Sequence, residues 1–586
     1  MVWNNPKIYF VLIAAVLLLR LNCWAQQSSA ASRSAEKPTG AITGRVVNSA
    51  GEPLPGATVS LSSLNGGRGQ TTTVNNNGEF KVDGLEPGLY RIFTVMTGYV
   101  YPTPLNPNDS IYYRIGDSVT LTMIKGAVIT GTVTGPNGPV IGVGVFVTRV
   151  RDEEGKKLAS TSGARERSTD DRGMFRIYGL QPGAYIVWAA KPRIGLVAPT
   201  AYDNDTPSYY PAATRDTASE IIVRDGDEVT ADIQYRAEPG HVVSGKVAGV
   251  IDSQTPFSPS ASINLTDLRT RALITGTSTN SAENHGFAIY GIPDGEYEMT
   301  ASQYLPNSDL LKSPPQRITV RGADVTGLSF TLAPLALIEG RLVFENDPKA
   351  ACAKRKETAA QETSVRAWPY EPEKTGANPK TDSSNVSLST PNSPIVGVGD
   401  AKGSFVLKNL TSGNYRIDSQ PPASGWYFKS IATGITQTVA AKNASLITAR
   451  DGLSVRSGER VTGLIVTITE GASRLRGRIS AAEGQSLPAR MAVYLVPAEP
   501  VAADNVLRFY EARSEADHTF TVDNINPGRY FIVARPLTDN DIEQLKSIRR
   551  DSGFRNTISR EALAAKKEVS FKPCERITDY ELPYSP

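Results

Sequence analysis

A short block of residues recurs five times along the chain in one register, and it constrains the fold more than any other feature. It reads Phe80…Leu85…Gly88…Tyr90, Phe175…Leu180…Gly183…Tyr185, Phe287…Ile292…Gly295…Tyr297, Phe405…Leu410…Gly413…Tyr415 and Phe520…Ile525…Gly528…Tyr530. Counted from the Phe, the aliphatic residue is always at +5, the Gly at +8 and the Tyr at +10. Self-similarity at this period marks an array of small units, each burying its own core.

An aliphatic residue two places before a Gly opens every unit, at Gly44, Gly131, Gly245, Gly340 and Gly477. Glycine weakens a strand interior, so its recurrence predicts a bulge or a close approach of backbone. A third block closes four units, with Val119-Thr120-Leu121, Val229-Thr230-Ala231, Val325-Thr326-Gly327-Leu328 and Val461-Thr462-Gly463-Leu464. Each runs directly into the next unit's first strand. Linkers this short predict a stiff or semi-stiff rod.

The central block reads as a hairpin corner. A turn precedes the Phe, whose strand alternates inward and outward side chains. Pro87, Pro182 and Pro527 fix φ, and the Gly that follows each (Gly88, Gly183, Gly528) supplies positive φ to reverse the chain. The Leu or Ile plugs the core beneath the turn. The Tyr buries its ring in the next strand and leaves its hydroxyl to bond nearby backbone. These are folding roles, which is why every copy carries them.

Composition agrees. Over 586 residues, 50 Gly and 39 Pro with 40% hydrophobic residues suit many short strands joined by tight turns, in a chain too apolar to be disordered. Of the formal net charge of +3, Lys7 and Arg20 belong to the N-terminal leader, so the remainder is close to neutral. That balance argues against nucleic acid or anionic lipid as a partner.

Residues 1–25 have the form of a secretory signal: Lys7, an apolar run Ile8 to Leu19, and a small residue at Ala25. Cleavage after Ala25 is expected, with an uncleaved anchor as the alternative. No other apolar run reaches membrane-helix length, so no span is expected after cleavage. Beyond the leader only Cys352 and Cys574 remain, which excludes a disulfide framework and a four-cysteine zinc site. They are expected to be separate thiols, one long-range disulfide being the alternative.

The series Gly-x-Val, Gly-x-Phe, Gly-Leu-x-Pro-Gly-x-Tyr and Val-Thr-x-Leu resembles the carboxypeptidase regulatory-like domain. That resemblance implies a transthyretin-like, carbohydrate-binding-like sandwich and a secreted or cell-envelope module used for adhesion, substrate binding or spacing. It implies no catalysis, since the peptidases carry their zinc site on another domain. Departures occur where unit three shifts its proline to Pro293, unit four has Ser412 in its place, and unit five has His518 at the turn Gly.

The expected fold is all-β, a tandem array of five Greek-key β-sandwich (transthyretin-like) modules with a short helical segment near the C-terminus. The division is a signal at 1–25, a linker at 26–40, and modules at 41–125, 126–236, 237–334, 335–470 and 471–586. Module four spaces Gly340 and Phe405 by 65 residues where the others use 36 to 44, so a disordered insertion is expected at about 349–394. Helix is expected over Asp539 to Arg550 and again over Ser559 to Lys567, capping the end of the array.

Catalytic and cofactor sites are not expected. The three histidines have Ser244, Ala288 and Thr521 three places on, which is no zinc-peptidase motif, and they sit in strand-and-turn blocks that leave no triad base. Gly66-Gly67-Arg68-Gly69 precedes no Lys-Ser/Thr of a phosphate loop. Asp170-Asp171 and Asp225 to Glu228 lack the periodicity of a calcium loop. Lys246 alone among first-strand residues could serve a Lys-to-Asn cross-link.

Two function classes stand. One is a structural or adhesive spacer of the cell envelope with a cell-envelope protein as partner. The other is a polysaccharide or peptide binder that stacks sugars on exposed aromatics outside the repeated blocks, foremost Tyr209, Tyr210, Trp368 and Trp426.

Overall fold

The computed structural model describes residues 39–584 apart from 67–68, 103–111, 154, 156–157, 159–164, 191–202, 213, 252–259, 270–272, 281–282, 307–308, 347–359, 371–393, 422–424, 434–451, 482–485, 500–504 and 539–546. The expected signal and nearly all of the 26–40 linker lie outside the described residues.

The first unit sets the scheme. Its strands are β1 (Gly40–Asn48), β2 (Thr58–Ser63), β3 (Gln70–Thr73), β4 (Glu79–Leu85), β5 (Tyr90–Val95), β6 (Tyr99–Val100) and β7 (Ser118–Lys125). They form two sheets, in the orders β4-β1-β7-β6 and β3-β2-β5. Period-2 alternation aims Phe80 and Val82 of β4, and Tyr90 and Ile92 of β5, into the space between the sheets. Ile42, Val46, Val59, Leu61, Leu121 and Met123 complete that core. The other four units repeat the plan around cores of their own.

In every unit the first strand lies between an antiparallel partner that carries the Phe and a parallel partner that closes the unit. For the first unit these are β4 and β7. The later first strands are Ala127–Gly135, His241–Ala248, Ala336–Glu345 and Ser473–Ala481. They pair parallel with Glu228–Thr230 and Ile233–Gln234, then Val325–Thr331, Arg460–Glu470 and Arg576–Tyr584.

The first-strand glycine has a steric cause. A Cβ built on Gly44, Gly131, Gly245, Gly340 or Gly477 would stand 2.2, 2.3, 2.2, 2.4 or 2.3 Å from the carbonyl oxygen of Val119, Ala231, Leu328, Leu464 or Tyr580. Each of these oxygens belongs to the closing strand or its continuation. In units three to five the parallel register also shifts next to this glycine, so bulge and close approach coincide there.

Positive φ sits elsewhere than the proline pattern predicts. Gly88 and Gly295 are outside the left-handed half of φ, whereas Gly183, Gly413 and Gly528 have φ of 142°, 152° and 139°. Two other positions are left-handed in all five copies. Two places before the Phe stand Gly78, Gly173, His285, Gly403 and His518; four places after it stand Gly84, Gly179, Gly291, Asn409 and Asn524. His285 and His518 therefore occupy turn positions that glycine fills in the other units. The turn before the Phe is tied by a side chain in three units, where Oδ1 of Asn75, Asp170 and Asp400 accepts from the amides of Glu79, Met174 and Ser404.

Three expectations are corrected. The stretch 349–394 is not wholly an insertion, because Ser364–Tyr370 is a strand of module four that pairs with Ile395–Val398 and Gly413–Gln420. Val365 and Ala367 point into the core and Arg366, Trp368 and Tyr370 point away. Low-complexity flanks at 347–359 and 371–393, which lie outside the described residues, mask this alternation.

The helix is α1, Ser552–Ala565, where 559–567 was expected; of the other expected stretch, 539–546 lies outside the described residues. Asp551 caps it by accepting from the Phe554 amide at 2.7 Å, Lys566 ends it in a left-handed cap, and residues 548–550 form a turn. α1 buries Phe554, Ile558 and Ala562 on the outward side chains Ala492, Tyr494 and Val496, covering a sheet face of module five.

Third, Cys574 is disulfide-bonded, not a free thiol. The other two cysteines, Cys23 and Cys352, lie outside the described residues.

Candidate functional site

The repeated corner is built alike in all five units. Tyr90, Tyr185, Tyr297, Tyr415 and Tyr530 are buried, and each hydroxyl donates to the carbonyl four residues back. The acceptors are Glu86, Gln181, Pro293, Thr411 and Asn526, at 2.7 to 2.9 Å. The ring packs the core and its one polar atom is satisfied locally, so the corner needs no ligand.

Burial pushes all five phenols above the ordinary tyrosine value. In module one Tyr113 is pushed up to about 12, first by burial and then by Tyr101 beside it. A raised folded value means that the fold favours the neutral phenol. That stability is complete below the unfolded value of about 10 and is lost as pH climbs through the folded one. The strand circular dichroism is expected to hold up to pH about 10. It should fall between about 10 and about 12, together with the rise of phenolate absorbance; phenolate appearing at pH about 10 with no change in fold would contradict this.

Two clefts lie at module joints. The one between modules two and three has a volume of about 840 Å³ and is lined by Arg215, Asp216, Arg236, Glu238, Asp267 and Arg269 among others. Its charges are matched across the joint: Arg215 bonds Asp267 at 3.1 Å, and Arg269 pairs with Asp216. His241 lies 3.2 Å from Asp294 on the same wall. The cleft between modules four and five, about 550 Å³, is lined by Arg366, Trp368, Asp418, Glu511 and Arg549 among others. Arg366 bonds Asp418 at 2.7 Å, Glu511 accepts from Ser547 and Ile548, and Arg549 donates to the carbonyls of Phe509 and Leu507. The first cleft reads as a joint held by ion pairs across it; in the second the charged groups are satisfied within their own modules, and the Arg550 guanidinium over the Trp368 ring crosses the joint.

The structure does not bring the four candidate aromatics together. Tyr209 is 7% exposed and stacks on Trp188 at 5.7 Å, which stacks in turn on Phe146 at 5.4 Å. Tyr210 packs partly buried against the module-two core. Trp368 is 4% exposed; its Nε1 donates to Asp418, and the Arg550 guanidinium lies 4.1 Å over its ring. Trp426, 8% exposed, belongs to the module-four core and meets Phe344 edge-on at 5.6 Å. Three of the four therefore offer no open ring face. Phe146 and Trp188, missed by the sequence reading, were detectable as the outward partners of Val145, Val147, Val187 and Ala189.

The acidic clusters are likewise engaged. Asp170 holds the turn described above, Asp227 accepts from the Arg224 amide, and Glu228 pairs with Arg176. Among the described residues no group of three metal-ligating side chains converges. Lys246 is exposed.

Residues 41–114 match the carboxypeptidase regulatory-like domain. Serine-aspartate repeat-containing protein D of Staphylococcus aureus is 23% identical over 427 residues, 66% of this chain and 28% of its own length. Serine-aspartate repeat-containing protein F of Staphylococcus epidermidis is 23% identical over 428 residues, 66% of this chain and 23% of its own. The alignment thus spans about a quarter of these curated relatives. Among solved structures, the minor pilin GBS52 of Streptococcus agalactiae is 15% identical, covering 33% of this chain and 95% of its own at a TM-score of 0.18. Two B repeat units of the collagen binding protein of Staphylococcus aureus are 12% identical, covering 74% of this chain and 100% of their own at a TM-score of 0.13. Overlaps this slight add nothing to the sandwich architecture seen directly.

Proposed function

We propose that this chain, whose first module is a carboxypeptidase regulatory-like domain, is a non-catalytic exported array that serves as a structural or adhesive spacer of the cell envelope. One observation carries the reading. The residues common to all units are consumed by folding, and the charged residues of the two joint clefts bond across or beside the joint. An array whose polar groups are spent this way sets distance and orientation, and presents its loops to a cell-envelope protein. The exported location rests on the leader-like segment Lys7 to Ala25. The polysaccharide reading gains no support, since Tyr209, Trp368 and Trp426 are enclosed.

The test is to label intact cells with antibody against the array and to challenge the purified chain with polysaccharide and peptide arrays. Labelling without lysis and a flat polysaccharide response are expected. Saturable binding of a polysaccharide, or labelling only after lysis, would overturn the proposal.

A further inference from the structure

The left-handed residue four places after the core Phe lies at the joint with the preceding module in all four joints. In the first, the Gly126 amide donates to the Gly98 carbonyl across the joint at 2.9 Å, and Gly179 backs Gly126 from within module two, a Cβ on Gly126 standing 3.0 Å from Cα of Gly179. In the second, Gly240 donates to Asn204 at 2.7 Å, and a Cβ on Gly291 would stand 2.4 Å from the Asp205 carbonyl oxygen. In the third and fourth the residue is Asn. Asn409 Oδ1 accepts from the Leu310 amide at 3.1 Å, and Asn524 Oδ1 accepts from the Gly425 amide at 3.4 Å. Gly471 and Ala472 add bonds to the Gly425 carbonyl at 2.9 and 3.0 Å.

The contacted segment follows the Tyr strand each time, although the strand it leads into pairs with the closing strand in modules one and four and with the Tyr strand in modules two and three. Gly98 precedes β6, Asp205 precedes Ser208–Tyr209, Leu310 begins Leu310–Lys312, and Gly425 precedes Trp426–Thr433. Gly stands where backbones touch and Asn where one side chain bridges the gap, the two residue types that adopt left-handed φ most readily.

Two more contacts join units three apart. Asn65 of module one donates to the Gly399 carbonyl of module four at 3.3 Å. Arg490 of module five bonds Asp152 of module two at 3.1 Å, and Asp152 is only 4% exposed. A carboxylate that deep is costly without a bonded cation.

We propose that the left-handed residues Gly179, Gly291, Asn409 and Asn524 are docking keys that fix each module on its predecessor, winding the array so that each module meets the third one along, with Arg490 and Asp152 closing the turn. This goes beyond the spacer reading, because it concerns the form of the array whatever the array binds. It also corrects the rod expected from short linkers: the joints are stiff, and they turn.

Small-angle scattering of the full chain tests it. A folded chain of this size has a radius of gyration of about 24 Å when compact, whereas five modules in line would give about 50 Å. The wild type is expected nearer the first value. Arg490→Glu is expected to raise it by about a third or more, and adding Asp152→Arg to bring it back. Asn409→Gly with Asn524→Gly keeps the left-handed backbone and removes only the bridging oxygen, so radius should rise while circular dichroism stays unchanged. A wild-type value near about 50 Å, or variants that fold normally and scatter like wild type, would refute the proposal.

Discussion

Replacing Gly131 by Ala will destabilise module two by about 3 kcal/mol or more. The new methyl would stand 2.3 Å from the Ala231 carbonyl oxygen and 2.7 Å from its carbon, so relief requires two paired strands to separate. No flexible side chain can yield instead. The control is Gly84→Ala, where nothing lies within 4 Å and only the φ of 72° resists the change. That strain costs about 1 kcal/mol. Hydrogen exchange resolved by module is the suitable readout, because an array does not unfold as one two-state body. Protection should fall across Ala127–Gly135 and Met174–Leu180 in the first variant, with module four unaffected. Equal effects of the two substitutions would rule out the steric account.

Tyr530→Ala should cost module five about 4 kcal/mol, and Tyr530→Phe about 2 kcal/mol. The ring is wholly buried and meets Tyr510 and Phe571 edge-on at 6.0 and 5.8 Å. Its hydroxyl donates to the Asn526 carbonyl at 2.8 Å and accepts from Nε of Arg508 at 3.2 Å. Arg508 also bonds Glu499 at 2.6 Å, so losing the hydroxyl disturbs a partly buried network rather than one bond. At Tyr90 the hydroxyl bonds the Glu86 carbonyl nearer to solvent, and Tyr90→Phe should cost less than half as much. Hydrogen exchange resolved by module in the paired variants checks the ranking, and Tyr90→Phe matching Tyr530→Phe would remove the network from the explanation.

Packing was legible in the sequence wherever it dictates residue type at fixed spacing. The Phe, aliphatic and Tyr positions are all buried in the modules to which the register assigned them. Backbone conformation was less legible. The proline drew the left-handed role to the Gly after it, although the consistently left-handed positions flank the Phe strand. Glycine marks each of them in three of the five units, and the substitutes (His285, His518, Asn409 and Asn524) hide the pattern from a search for Gly alone. Ser364–Tyr370 was obscured because two polar stretches surround seven residues of clear alternation. The aromatics failed as site candidates for a different reason. Exposure depends on neighbouring strands and on the next module, as with Trp368 beneath Arg550, and neither is local in sequence.

The parallel pairing of first and closing strands has a mechanical consequence. In module one the chain enters at the start of β1 and leaves at the end of β7, and the strands run side by side from Thr43 opposite Ser118 to Asn48 opposite Met123. Tension along the chain therefore pulls them in opposite directions along their own length. The ladder is sheared, so its hydrogen bonds share the load, whereas a hairpin pulled from its open end yields one bond at a time. The same arrangement recurs in all five modules. Under force the joints would give way first and the array would lengthen; each module would then resist as a clamp.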